Sequence, residues 1–124
     1  MKSQSATPDL FSQITRKTLR EEFYDALSVL TTDQKRAVEQ IEGPVMVLAG
    51  PGTGKTQVLA ARFGYILDQT DTSIQQILCL TYTDAGVVAM RRRLVHFIGA
   101  DAYKVNICTF HSFCTKHFDI SIAD

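Results

Sequence analysis

The sequence predicts an α/β fold in which parallel strands are covered by helices. Three short apolar runs alternate with longer segments of helical period. A glycine-rich loop joins the first run to the helix behind it. Helix-length connections between successive strands make them run parallel, because only an antiparallel return closes through a short hairpin. At 124 residues, 45% hydrophobic and 21% charged, the chain has the composition of one globular domain or part of one. Lys plus Arg and Asp plus Glu total 13 each, so the formal net charge is zero. Any nucleic-acid contact must therefore come from a local site rather than from bulk charge.

Residues 1–8 are largely polar and are expected to be loose. From Leu10 to Leu30, apolar residues recur at helical spacing (Leu10, Ile14, then Phe23, Leu27, Leu30), which predicts a helical leader over residues 1–30 that packs on the body. Thr31 with Gln34 three residues on fits a capping box. The helix it opens carries Ala37, Val38 and Ile41 and should stop at Gly43–Pro44. Val45–Ala49 is apolar throughout, too short for a helix and bounded by Pro and Gly, so it reads as a buried strand. Residues 55–68 have helical period. Ile77–Tyr82 reads as a second buried strand, and Asp84 as the cap of a helix that ends at Gly99. Val105–Phe110 reads as a third strand, with a short helix from His111 onward.

No apolar stretch approaches the ~18 residues of a membrane-spanning helix, and the N-terminus lacks the apolar core of a secretory signal. Cys79, Cys108 and Cys114 form an odd set without a CxxC, which suits a reducing compartment such as the cytoplasm. Cys79 and Cys108 read as small core residues, as do Met90 and Leu94 as larger ones, and Arg91-Arg92-Arg93 as a solvated helix face. His111, Cys114 and His117 tempt a metal reading. Successive steps of three on a helix turn the outer two ligands roughly 120° apart, and a fourth ligand is missing.

The loop after the first apolar run is Ala49-Gly50-Pro51-Gly52-Thr53-Gly54-Lys55-Thr56, which matches the phosphate-loop pattern with Ala in its first position. Glycines let successive amides turn inward on an anion where a Cβ would block the approach. The helix starting near Lys55 aims its N–H groups and positive dipole end at the same phosphates. Lys55 supplies the catalytic cation for the β and γ phosphates, and Thr56 a hydroxyl for Mg²⁺. A P-loop nucleotide-binding fold follows, with ATP and Mg²⁺ as cofactors.

The flanking segments narrow the reading. Leu30-Thr31-Thr32-Asp33-Gln34 resembles the Q motif of the UvrD/Rep/PcrA group of superfamily 1 DNA helicases, and Glu42–Gly50 leads into the loop as in that group. Thr81-Tyr82-Thr83-Asp84, with Ala89-Met90 and Arg93-Leu94, resembles its motif Ia. Thr109-Phe110-His111-Ser112-Phe113-Cys114 resembles its motif Ib. The resemblance runs from Leu30 to the end of the chain. It implies that residues 31–124 are the N-terminal part of a first RecA-like domain. It further implies that Gln34 reads the adenine edge, that Gln57 lies near the base, and that Thr81, Tyr82, Thr83, Thr109, Phe110, His111 and Ser112 touch single-stranded DNA. Relatives commonly carry Arg at the place of Gln57, and Asn-Lys at the place of Asp84-Ala85. They also use an Asp-Glu pair and a second RecA-like domain, and no Asp-Glu pair occurs here. The sequence is accordingly read as the first portion of a longer ATP-dependent helicase, inactive alone. Two other readings stay open on the residues: a P-loop small-molecule kinase, and a non-enzymatic nucleotide-binding module.

Overall fold

The computed structural model describes residues 19–52 and 54–118. Leu10 and Ile14, the first half of the predicted leader, lie outside them. Helix α1 (Glu21–Ser28) opens with two glutamates, which suit the positive end of a helix dipole. Helix α2 (Thr32–Glu39) starts from the predicted capping box: Gln34 N donates to Thr31 Oγ1 at 3.2 Å, and Thr31 N donates to Gln34 Oε1 at 2.9 Å. It ends at Glu39, so Ile41 lies beyond the helix rather than in it as expected; in the segment that follows, Gln40 Nε2 donates to Glu42 O at 3.1 Å. Helix α3 (Lys55–Gln69) follows the phosphate loop. A 3₁₀ turn (Ile74–Gln76) leads to strand β1 (Leu78–Thr81), helix α4 (Asp84–Ile98), a second 3₁₀ turn (Gly99–Lys104), strand β2 (Asn106–Thr109) and helix α5 (Phe110–Phe118).

β1 and β2 pair in parallel, from Leu78 opposite Asn106 to Thr81 opposite Thr109, with α4 as the crossover. The architecture is thus mixed α/β, as expected. Several expectations need correction. Val45–Ala49 is not a buried strand: among the described residues it has no ladder partner, and Met46 is 85% and Leu48 89% exposed. A segment becomes a strand only when another backbone pairs with its N–H and C=O groups, and the β1–β2 sheet does not reach this one. β1 is also less buried than expected. Leu78 is exposed and the rest half-buried, since a two-stranded sheet leaves much of each strand uncovered. Finally, the cap of α4 is Thr83 rather than Asp84. The Thr83 hydroxyl accepts from Gly86 N at 3.0 Å, and Asp84 enters the first turn, where its charge suits the dipole.

The main core joins α1, α3, α4 and β2 through Phe23, Phe63, Leu94, Phe97 and Ile107. Met90 and Leu94 are buried in it as expected. Phe23 packs edge-on against Phe97, centroids 5.5 Å apart, and lies across Gly64 of α3. A Cβ at Gly64 would stand 2.3 Å from Phe23 Cε1, so only glycine admits that ring. A second cluster (Leu30, Ala37, Val38, Val58, Ala61) fastens α2 to α3. Arg91 is not part of a solvated face. Its Nη1 donates to Ala102 O at 2.7 Å and Val105 O at 3.0 Å, fixing the 3₁₀ turn that feeds β2, while Arg92 and Arg93 are exposed. Cys79, Cys108 and Cys114 are free and half-buried, and burial pushes the Cys79 thiol up to about 11. No helix among the described residues is long and apolar enough to cross a membrane.

Candidate nucleotide and nucleic-acid site

Pro51-Gly52 forms a turn, and both Gly52 and Gly54 have φ of +75°, a left-handed conformation that side chains with a Cβ resist. Gly54 is the N-cap of α3 and brings no side chain to it, so the amides of the first turn face outward from a bare helix start. Lys55, the first residue of α3, is exposed. Thr56 is half-buried beside it, and Thr53 lies outside the described residues. Gln57 is half-buried, with its Oε1 enclosed and without a hydrogen-bond donor among the described residues.

Beside the loop is a cavity of about 670 Å³, within the range typical of small-molecule sites. Thr31, Asp33, Gln34 and Ala37 of the α2 region form one wall, and Lys55, Val58, Leu59 and Arg62 of α3 another. The segment through Val47, Leu48, Ala49 and Gly50 forms the third. The structure thereby brings Gln34 and Lys55, 21 positions apart in sequence, onto one concavity. Gly52, Gly54, Thr56 and Gln57 belong to the same loop and helix start but do not line it. Arg62 went unnoticed as a site residue in the sequence. Its Nη1 donates to Ala37 O at 3.4 Å, tying α3 to α2 at the cavity wall. A cation among Val58, Leu59 and Phe63 was the available signal.

A second cluster sits at the carboxyl ends of the two strands. Thr81 Oγ1 donates to Thr83 O at 3.0 Å, bracing the turn, while Thr83 caps α4. Thr109 is buried, and its Oγ1 accepts from Ser112 N at 3.0 Å, capping the first turn of α5. These three threonines shape the backbone. The outward groups are Tyr82, His111, Ser112 and Phe110. Tyr82 is 90% exposed and its ring lies 5.4 Å from that of Phe110, planes 50° apart. His117 stacks at 4.5 Å on Phe113. No group of three His, Cys, Asp or Glu among the described residues could hold a metal ion.

The glycines, the bare helix start, the Lys55 ammonium and the Thr56 hydroxyl suit a nucleotide phosphate chain and its Mg²⁺. Thr56 would be the residue of this chain that ligates the metal, through its hydroxyl oxygen.

The chain is similar to curated proteins named ATP-dependent DNA helicases. PcrA of Staphylococcus epidermidis is 39% identical over 87 residues, which is 70% of this chain and 12% of that protein. PcrA of Staphylococcus aureus is 38% identical over 90 residues, 73% of this chain and again 12% of the relative. The model of the UvrD/REP helicase N-terminal domain matches residues 30–122, and the chain belongs to that family.

Proposed function

We propose that this chain is the ATP-binding N-terminal part of an ATP-dependent DNA helicase of the cytoplasm, which couples hydrolysis to movement along single-stranded DNA and to unwinding. The observation that carries the reading is the loop itself. Two left-handed glycines deliver Lys55 and Thr56 to a bare helix start beside a cavity that also holds Gln34. In this reading residues 31–124 form the first portion of a P-loop, RecA-like domain. Helix α1 precedes it, with Phe23 built into the shared core.

Each residue has a physical task. The loop amides and the α3 dipole attract phosphate, and Lys55 neutralises charge at the β and γ positions. Mg²⁺, when bound, supplies further neutralisation of that charge, with Thr56 as its ligand on this chain. Gln34, held by the Thr31 box, reads adenine, and Gln57 lies near the base. A second RecA-like domain, outside this chain, supplies the Arg that completes catalysis. Loss of such an Arg alone costs ~10³–10⁵ in rate, so this chain binds ATP with negligible turnover. At the strand ends Tyr82, Phe110, His111 and Ser112 meet single-stranded DNA, on the edge where open parallel sheets hold ligands.

Titration calorimetry with ATP and GTP, in the presence of Mg²⁺, tests the reading. The chain should bind ATP, and Gln34→Ala should weaken ATP more than GTP. Equal losses would reduce Gln34 to a helix cap. Steady ATP turnover by the pure chain, abolished in Lys55→Ala, would contradict the dependence on a second domain.

A further inference from the structure

We infer that Arg62 is a positioning residue for the nucleotide cavity. It locks the end of α2 onto α3, and so sets the span between Gln34 and Lys55 that lets one ligand be held by base and phosphate together. The inference rests on the reading that the cavity takes ATP, and adds what fixes its width. Both helical walls present residues at helical spacing. Gln34 and Ala37 stand three apart on α2, and Lys55, Leu59 and Arg62 stand four and three apart on α3, so each set shares one face. The rise of a helix puts Arg62 roughly 10 Å along α3 from Lys55.

The Thr31 box fixes the start of α2 and leaves its end open. Helix α2 stops two residues after Ala37, and the last carbonyls of a helix have no partner within it. Arg62 Nη1 donates to one of them, Ala37 O, at 3.4 Å. A cation there also meets the negative end of the α2 dipole. Arg62 is half-buried, and it also lines a smaller cavity of about 240 Å³ against Leu78 and Leu80 of β1. With space on both sides, the carbonyl bond decides which side the guanidinium takes. Ala37 and Val38 pack against Val58 and Ala61, so the two helices stay joined without that bond. Apolar contact has no direction, however, and α2 is then free to turn or slide relative to Lys55.

The test is titration calorimetry of the 124-residue chain with ATP, GTP and inorganic tripolyphosphate, each with Mg²⁺. Arg62→Met keeps the stem and removes the donors. It should weaken ATP about 2- to 10-fold, the scale of one hydrogen bond, and bring ATP and GTP closer together. Tripolyphosphate should bind as in the parent. Arg62→Lys, which retains a cationic donor, should restore part of the preference for ATP. Added to Gln34→Ala, Arg62→Met should cost ATP nothing further, because Arg62 acts through Gln34. Additive losses would mean that Arg62 touches the nucleotide itself, and equal losses for ATP and tripolyphosphate that it acts on the phosphate loop. Either result overturns the positioning role, as does an unchanged ATP affinity in Arg62→Met, while the nucleotide reading survives. Folding is followed by circular dichroism. If the methionine chain is unfolded, Arg62→Gln is read in its place, its amide nitrogen ending two bonds short of the guanidinium Nη1. Failure of the parent chain to bind ATP at all would remove the nucleotide reading, and this inference with it.

Discussion

The core around Phe23 and the segment Val45–Ala49 are written in the same apolar alphabet, yet they end in opposite environments. Phe23 is fully buried between Gly64 and Phe97, whereas Leu48 is 89% exposed. The difference lies in the neighbours. Helix α1 brings Phe23 against a glycine notch on α3 and an aromatic on α4, so its apolar surface leaves water entirely. Val45–Ala49 has no strand beside it among the described residues and therefore no surface to share. Hydrophobic patterning states what a segment would gain by burial. Whether it is buried depends on the presence of a complementary face.

Substitutions in the two regions should separate accordingly. Phe23→Ala is expected to cost about 3–5 kcal/mol, enough to unfold a marginal domain at body temperature, as followed by urea denaturation. Gly64→Ala should cost about 1–3 kcal/mol, because the new Cβ meets the fully buried Phe23 ring at 2.3 Å and something must shift. A Gly64→Ala chain as stable as the parent would show that the notch is not tight. Thr31→Ala removes the acceptor for Gln34 N and should cost about 1 kcal/mol. Leu48→Ser, in the exposed segment, should change stability by less than about 0.5 kcal/mol. A large loss there would mean that the segment is packed in solution after all, and the contrast would collapse.

One effect is confined to alkaline pH and concerns Cys79. Burial raises its thiol to about 11 from an ordinary 9.0, so the folded state favours the protonated form. Stability from this group is complete below pH 9.0 and is lost as pH climbs through about 11. Cys79→Ala should flatten that decline relative to the parent. In the native chain at mildly alkaline pH, Cys79 should resist alkylation until denaturant is added.

What the sequence made legible was local. The Thr31–Gln34 box, the glycine turn before Lys55 and the Gly99 stop each depend on residues a few positions apart, and all three appear in the structure. Features set by distant partners were not legible. Arg91 finds its acceptor carbonyls 11 and 14 residues away, and Gly64 meets Phe23 across 41 positions. Asp84 and Thr83 were equally plausible caps by residue type, and only the extended backbone at Thr83 decides between them. In the candidate site, Lys55 and Gln34 could be named from motifs. Their meeting across one cavity, and the contribution of Arg62 to its lining, required the fold.

The claim on which the functional account depends is that the Gly52–Lys55 turn holds nucleotide phosphate. Thermal melting of the chain with and without ADP and Mg²⁺, repeated with Lys55→Ala, tests it most directly. A ligand that binds only the folded state adds about 2.7 kcal/mol at a hundredfold excess over its Kd. The parent chain should therefore melt several degrees higher with nucleotide. Lys55→Ala should melt at the parent temperature without it and lose most of the shift with it. An equal shift in both chains would place the nucleotide elsewhere and contradict the account.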